Sequence, residues 1–148
     1  MKIRTSIIAA GAAIALGTTG ALVLPAVASA HSASTTLKFI SVQKASVTFS
    51  KTAFGQQDTD VNAAGKTVGF DMLYFTAVSA TTGNVNVTVD TTGGFLYGTL
   101  TVNFKTGAIS NGKVTGGTGS FVGATGTIKA KNLNKAGTRT AVTITYTG

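Results

Sequence analysis

The sequence predicts an all-β protein, a single antiparallel eight-stranded β-barrel preceded by an N-terminal signal peptide. Eight short segments alternate between apolar and polar residues, and turn-forming residues separate them. Beyond residue 30 the chain is rich in threonine, valine and glycine and contains neither proline nor glutamate, which favours strands over helices. The sequence has no cysteine, so an exported chain must be held by its core, and a closed sheet suits that need.

Residues 1–30 have the features of a signal peptide. Lys2 and Arg4 form a short basic start, an apolar run follows, and Ala28-Ser29-Ala30 supplies a small-residue cleavage site. The alternative is a retained membrane anchor, because the apolar run approaches spanning length. Glycines and threonines within the run favour cleavage near Ala30. We therefore expect a secreted, extracellular protein with a β-barrel domain over 31–148 and no stable membrane insertion after cleavage.

The charge pattern argues against a nucleic-acid partner. Without Lys2 and Arg4, ten basic residues remain against four aspartates, a net charge of +6 for residues 31–148. These basic residues are scattered, and aromatic residues do not interleave with them. A nucleic-acid groove needs a clustered basic surface. The scattered pattern favours a solvated, soluble surface.

The predicted strands differ in how many of their faces are apolar. We expect strands over 36–43, 45–52, 66–79, 83–92, 95–104, 112–116, 120–131 and 138–147. The strand over 83–92 alternates between valines and polar residues, which is typical of a half-buried strand. Between Val68 and Val78, however, both faces are largely apolar. In a barrel, one of these faces would line the interior and the other would meet a subunit partner or a covering segment.

The segment from Val114 to Lys131 is rich in glycine but does not match a nucleotide-binding or calcium-binding loop. The dinucleotide pattern needs a helix after its glycines, and a strand pattern follows here. The other phosphate loop ends in Gly-Lys-Ser/Thr, which the segment lacks. Calcium-binding glycine repeats need an aspartate where Phe121 stands, and they occur in several copies.

The same segment resembles the signature of the allene oxide cyclase and dirigent superfamily, whose members are eight-stranded β-barrels. The sequence GGTGSFVGATG is similar to the G-G-T-G-x-F-x-x-A-x-G signature of that family. The matching residues are Gly116, Gly117, Thr118, Gly119, Phe121, Ala124 and Gly126. Two more segments, 64–69 and 98–102, resemble strands that precede the signature, in the same order and spacing. The resemblance covers roughly 45–147 and implies a barrel of the allene oxide cyclase/dirigent type, a structural signature, and a homodimer or homotrimer.

The inventory of catalytic and metal-binding residues is small. Glutamate and cysteine are absent, and the one histidine, His31, lies at a predicted loose terminus. Nucleophiles that need a histidine base, and zinc sites, are therefore excluded. The segment Asp58-Thr59-Asp60-Val61-Asn62 resembles the start of a calcium loop, but Ala63 replaces the required glycine and Gly69 the closing glutamate. We interpret this segment as a polar hairpin loop, and we expect no metal and no cofactor.

Asp71 is the main catalytic candidate because it lies inside the most apolar strand. Burial there would raise its pKa and demand a partner. It would then be a proton donor or acceptor in the barrel mouth, or else a residue near solvent that pairs with a lysine. Asp90 is a second catalytic candidate with the same two interpretations. The glutamate of allene oxide cyclases is not matched, since the corresponding strand offers Asn86, Val87, Thr88 or Asp90, and Thr125 replaces an arginine common in dirigent proteins.

Two functions remain open at this stage. The first is a barrel that binds a small apolar molecule, with cyclase- or isomerase-type activity that needs no cofactor, since shape and exclusion of water can supply much of such catalysis. The second is a non-catalytic secreted ligand carrier or a surface protein that acts through oligomerisation. For the pocket we predict Tyr74, Asn86 and Tyr97 as ligand-binding residues. Alternation puts Asp71 and Tyr74 on opposite faces of one strand, so at most one of them points inward unless a bulge intervenes. We choose Asp71 for its chemistry and keep Tyr74 as the fallback.

Overall fold

The computed structural model describes residues 33–148, which form eight strands and one short 3₁₀ turn. The strands are β1 (Thr35–Ser50), β2 (Ala53–Val61), β3 (Thr67–Ala77), β4 (Thr82–Thr91), β5 (Gly94–Asn103), β6 (Ile109–Gly117), β7 (Thr125–Asn132) and β8 (Arg139–Thr147). The 3₁₀ turn is Gly119–Phe121. The predicted signal peptide and His31 lie outside the described residues and stay predictions.

The eight strands form a closed antiparallel barrel. Each strand pairs with the next one along the chain, and β1 also pairs with β8 to close the sheet. The predicted all-β, eight-stranded barrel is therefore confirmed. Because consecutive strands run in opposite directions, the turns after β1, β3, β5 and β7 lie at one end, and those after β2, β4 and β6 lie at the other.

The end of the barrel that carries the β6–β7 turn is packed shut. Phe121, in the 3₁₀ turn, is buried there, and its ring packs edge-on against Tyr146 with ring centroids 5.4 Å apart. Leu96 and Ile144 beneath it are fully buried, and they belong to the main hydrophobic core. We call this the closed end.

Two glycines of the predicted signature explain how the chain makes that closure. Gly119 has φ +58°, and a Cβ atom there would overlap the carbonyl oxygen of Gly93. A Cβ atom on Gly117 would overlap the carbonyl oxygen of Phe95 and approach the Cβ atom of Phe121. Both positions therefore need glycine, which lets the β6–β7 connection lie flat across the barrel end.

The sequence-based strand boundaries were wrong at the start of the chain. The segments 36–43 and 45–52 form one strand, β1, whose pairing with β2 shifts register between Gln43 and Ala45. The segment Ala53–Val61, part of which we interpreted as a polar loop, is strand β2. The bulge at Lys44 hid the continuity of β1 by changing its alternation. Strand β2 was missed because three of its inward positions are polar.

A second boundary lies in the glycine-rich segment. The predicted strand over 120–131 begins only at Thr125, because the 3₁₀ turn and Gly123, with φ +76°, occupy the residues before it. Phe121 is thus a buried side chain of the 3₁₀ turn that fills the closed end. It is not a strand residue.

The outward face of β3 carries the second apolar set predicted from the sequence. Val68, Phe70, Met72 and Tyr74 are each between 39% and 48% exposed. Phe49 of β1 adds to them, with its ring centroid 5.7 Å from that of Tyr74. The subunit partner or covering segment predicted for this face stays a prediction.

Candidate functional site

The inward faces of β2 and β3 become more polar with depth. These two antiparallel strands pair Phe54 with Phe75 near the end opposite the closed end, then Gln56 with Leu73, and then Asp58 with Asp71. One step deeper, Asp60 pairs with Gly69. Paired side chains on one face of an antiparallel sheet lie close together. The register therefore places an aromatic pair above a pair of carboxyl groups.

Three aspartates form a buried cluster at this depth. Asp58, Asp60 and Asp71, called here the acidic cluster, are 3%, 1% and 3% exposed, and the neighbouring Ser41 of β1 is 3% exposed. Buried carboxyl groups are rare unless they are paired or hydrogen-bonded. Such a cluster costs folding free energy, which marks it as a candidate site.

Two neutral side chains hold Asp58 in place. The Ser41 hydroxyl donates to Asp58 Oδ2 at 2.6 Å, and the Gln56 amide donates to the same oxygen at 2.8 Å. Both distances are typical of hydrogen bonds to a charged acceptor. The other oxygen, Asp58 Oδ1, is buried with no hydrogen-bond partner in the protein, and the same is true of Asp71 Oδ1.

The deepest carboxyl group is held in its protonated form. Burial is the main cause that raises the pKa of Asp60 to about 8, and the charges of Asp71 and Asp58 add to it. Both oxygens of Asp60 are buried without a hydrogen-bond partner in the protein, and the neutral acid is the less costly form of a carboxyl group in that position.

Asp71 titrates closer to neutral pH. Burial, followed by repulsion from the Asp58 carboxylate, raises the pKa of Asp71 to about 6, while the polar groups of Ser41 and Asp60 nearby oppose the shift. A carboxyl group with this pKa is largely ionised at neutral pH and still basic enough to accept a proton there. This is the property expected of a general acid or base.

The acidic cluster faces a cavity of about 1010 Å³ inside the barrel. Asp58 and Asp71 line it, together with Ser41 and Gln56. Its apolar lining comes from every strand and includes Phe39, Phe54, Leu73, Phe75, Val85, Val87, Val89, Leu100, Ile128, Ala130, Val142 and Ile144. The rings of Phe54 and Phe75 stack with centroids 4.2 Å apart. An eight-stranded barrel has room for packed side chains or for one small ligand, and this interior leaves the second option open.

The mouth of the cavity lies at the end away from Phe121. The loops β5–β6 and β7–β8 line it, with Lys105 in the first and Lys135 in the second. Lys131, at the end of β7, also lies on this rim, and all three lysines are exposed. The cavity therefore runs from a basic, solvated rim to an acidic, buried floor.

The structure places only one of the five predicted site residues in the cavity wall. Asp71 points inward, as the choice between Asp71 and Tyr74 required. Tyr74, Asn86, Tyr97 and Asp90 occupy the alternate positions of their strands, which face outward, and none of them lines the cavity. The predicted ligand contacts of Tyr74, Asn86 and Tyr97, and the catalytic role of Asp90, are not available from that outer face. Tyrosines and polar residues were chosen for their chemistry, but strand parity decides which side they occupy.

Sequence reasoning missed the partners of Asp71. Asp58 and Asp60 were assigned to a loop, and Ser41 and Gln56 were not singled out. A signal was present, because Gln56, Asp58 and Asp60 repeat with the period of two that defines one face of a strand. We expected inward residues to be apolar, and that expectation concealed the strand.

Two other kinds of feature would indicate a function among the described residues, a metal site and a membrane-spanning helix. Across 33–148 no group of three or more metal-ligating side chains is placed to hold a metal ion. In the same part of the chain no helix is long and apolar enough to cross a membrane.

The comparisons with known proteins support the fold but assign neither a family nor a function. No protein-family model matches the sequence, and no curated protein matches it. Among solved structures, the chain is similar to a pyocyanin demethylase with a TM-score of 0.57 and 14% identity, over 76% of this chain and 100% of that one. The resemblance to the allene oxide cyclase and dirigent superfamily stays a prediction. The chain is an eight-stranded antiparallel barrel that shares its fold with at least one enzyme.

Proposed function

We propose that the barrel binds one small, largely apolar molecule in its interior and exchanges a proton with it through Asp71. The observation that carries this proposal is a single side chain, Asp71, which is buried, lines an apolar cavity and has a pKa near neutrality. The reaction class is that of an isomerase or cyclase, as the family resemblance also implies. In such a step Asp71 takes a proton from a carbon of the ligand and returns it at another atom, so the reaction balances without a co-reactant.

The position of Asp71 favours a role in proton transfer over simple storage of the ligand. The carboxyl group lies below the Phe54–Phe75 stack, where a flat ligand can approach it while water is displaced. Asp60, one position deeper on β2, is protonated and so adds no negative charge beside the Asp71 carboxylate. Low dielectric in such a cavity strengthens the interaction between the base and a developing charge.

Ligand binding can be tested with Nile red, an uncharged dye whose emission rises in apolar surroundings. The wild-type protein should bind it saturably, since the cavity is apolar above the acidic cluster. The variant Ala130→Trp places an indole ring in the cavity and should abolish binding. Lys129→Trp, one residue earlier on the outer face, is the matched control and should bind the dye normally. Equal binding by both variants would refute an interior site.

Proton transfer can be tested with a nitrobenzisoxazole, whose ring opens when a base removes one carbon-bound proton and the N–O bond breaks. The wild-type protein should exceed Asp71→Asn by about a hundredfold, the usual contribution of a general base. The rate should rise with pH through about 6, as Asp71 ionises. If the two proteins bind Nile red equally but open the ring at the same rate, the barrel is a carrier and the catalytic half of the proposal fails.

Export is also part of the proposal, and rests on the basic start, apolar run and small-residue site of residues 1–30. N-terminal sequencing of material from the culture medium should begin near His31. A chain that still begins at Met1 and stays in the membrane fraction would contradict it.

A further inference from the structure

We infer that the ligand carries a protonated amine, or a similar cationic N–H group, at the end that enters the barrel first, and that Asp58 binds it beside Asp71. The inference rests on the proposed function, because it names the chemical class of the molecule that fills the cavity. It concerns the recognition of the ligand, and leaves Asp71 free to act as the base.

The first observation is that the acidic cluster has fewer donors than acceptors. Asp58 receives two hydrogen bonds, both at Oδ2 and both from neutral groups, Ser41 and Gln56. Its second oxygen and Oδ1 of Asp71 are buried without a partner. Both side chains are 97% buried or more, and both line the cavity. A buried carboxylate oxygen left without a donor is costly, so a donor brought by a ligand would be strongly favoured.

The second observation is the shape of the space beside these oxygens. The cavity of about 1010 Å³ is far larger than a single ion needs, and the layer above Asp58 consists of Gln56, Leu73 and then the Phe54–Phe75 stack. An apolar or aromatic body suits that layer, and a cationic head group suits the floor. Among the described residues no three His, Cys, Asp or Glu side chains are placed to hold a metal ion, so an organic cation matches the site better than a metal ion.

The lysines of the rim do not reverse this preference. Lys105, Lys131 and Lys135 are exposed, so water screens their charges. Asp58 and Asp71 lie in a buried floor, where the same charge acts more strongly. A cation at Asp58 would also favour the ionised form of Asp71, which is the form that accepts a proton.

Three probes with one ring and different head groups test the inference: naphthylmethylammonium, naphthylmethanol and naphthylacetate. The protein has no tryptophan, so naphthalene fluorescence can be followed directly. At pH 7.5 the ammonium probe should bind about tenfold more tightly than the alcohol, the increment expected for a charge-assisted hydrogen bond, and the acetate should bind most weakly. Equal affinities, or a preference for the acetate, would overturn the inference.

Variants assign the preference to a residue. Asp58→Asn should remove the tenfold preference for the ammonium probe and leave the affinity for naphthylmethanol within about twofold. Asp90→Asn is the matched control on the outer face and should keep the preference. If Asp58→Asn does not fold, the wild-type protein still gives a test, because lowering the pH from 7.5 to 5 should weaken the preference as Asp71 gains a proton. A preference that is unchanged at pH 5 would contradict the inference.

Three further outcomes separate the possible causes of failure. Binding of Mg²⁺ or Ca²⁺ that displaces the ammonium probe would show that the carboxyl groups hold a metal, and would overturn the inference. Failure of all three probes together with Nile red would refute the proposed function itself. Normal Nile red binding without a head-group preference would leave the proposed function intact and refute only the cation.

Discussion

Two neighbouring walls of the barrel interior follow the same alternation of inward and outward residues. One wall presents polar and acidic side chains to the cavity, and the other presents apolar ones. The wall made by β2 and β3 presents Gln56, Asp58 and Asp71 to the cavity, whereas the wall made by β4 and β5 presents Val85, Val87, Val89 and Leu100. They meet in register, with Asp71 directly paired with Val89. The backbone is equivalent on both sides of that pair, so the difference lies only in the inward side chains.

The two walls contribute to the folding free energy with opposite signs. Valines and leucines on β4 and β5 bury apolar surface and stabilise the barrel. Carboxyl groups on β2 and β3 are buried at a cost and leave unpartnered oxygens. Sites that break the rules of a stable core in this way are expected to be functional. The β4–β5 wall supports the structure, and the β2–β3 wall holds the residues to which we assign the proposed function.

The largest expected effect is a loss of stability as the pH rises. Asp60 has a pKa of about 8 in the folded protein and an ordinary value of 3.8, so the folded state keeps a proton that the unfolded state loses. Stability therefore falls by several kcal/mol as the pH rises from about 4 towards 8, and Asp71, whose pKa is raised to about 6, adds to this fall. Urea unfolding at several pH values measures it.

Variants show whether the acidic cluster is the cause. Asp60→Asn should remove a large part of the pH dependence, since asparagine resembles the protonated acid, and Asp71 should account for the part that stays. Asp90→Asn, on the outer face, should leave the dependence in place. A wild-type protein whose stability rises from pH 4 to pH 7 would contradict the assigned ionisation.

The next effect compares two leucines of β5. Leu96 is fully buried below the cavity, and Leu100 lines the cavity. Leu96→Ala should cost about 3 kcal/mol because it leaves a new void in packed surroundings, and Leu100→Ala about 2 kcal/mol because it enlarges an existing space. Thermal or urea unfolding measures both. Equal losses would mean that the interior is packed throughout.

The smallest effect concerns the glycines that let the chain pack across the closed end, where both walls finish. Gly119→Ala should cost about 2 kcal/mol, since it combines a left-handed backbone with an overlap on Gly93. Gly123→Ala is the control, with φ +76° and no atom within 4 Å of the added methyl group, and should cost about 1 kcal/mol. If the two variants unfold at the same urea concentration, the close approach to Gly93 does not contribute.

Much of the barrel could be predicted from the sequence, because valine and threonine alternation on β4 and β8 reports strand and face together. The same parity showed that at most one of Asp71 and Tyr74 points inward, and the choice of Asp71 rested on its chemistry. Asp58 and Asp60 could not be placed, because a polar inner face looks like a loop when inward residues are assumed to be apolar. The pairing of β1 with β2, which brings Ser41 to Asp58, depends on register, and the bulge between Gln43 and Ala45 obscured that register.

The central claim is that the interior holds a ligand between an apolar wall and an acidic wall. Its most direct test is a crystal structure of the protein soaked with naphthylmethylammonium. The account predicts the naphthalene ring inside the barrel near the Phe54–Phe75 stack, with the nitrogen beside Asp58 and Asp71. An interior filled by side chains, or a probe bound only on the outer face against Phe49 and Tyr74, would contradict it.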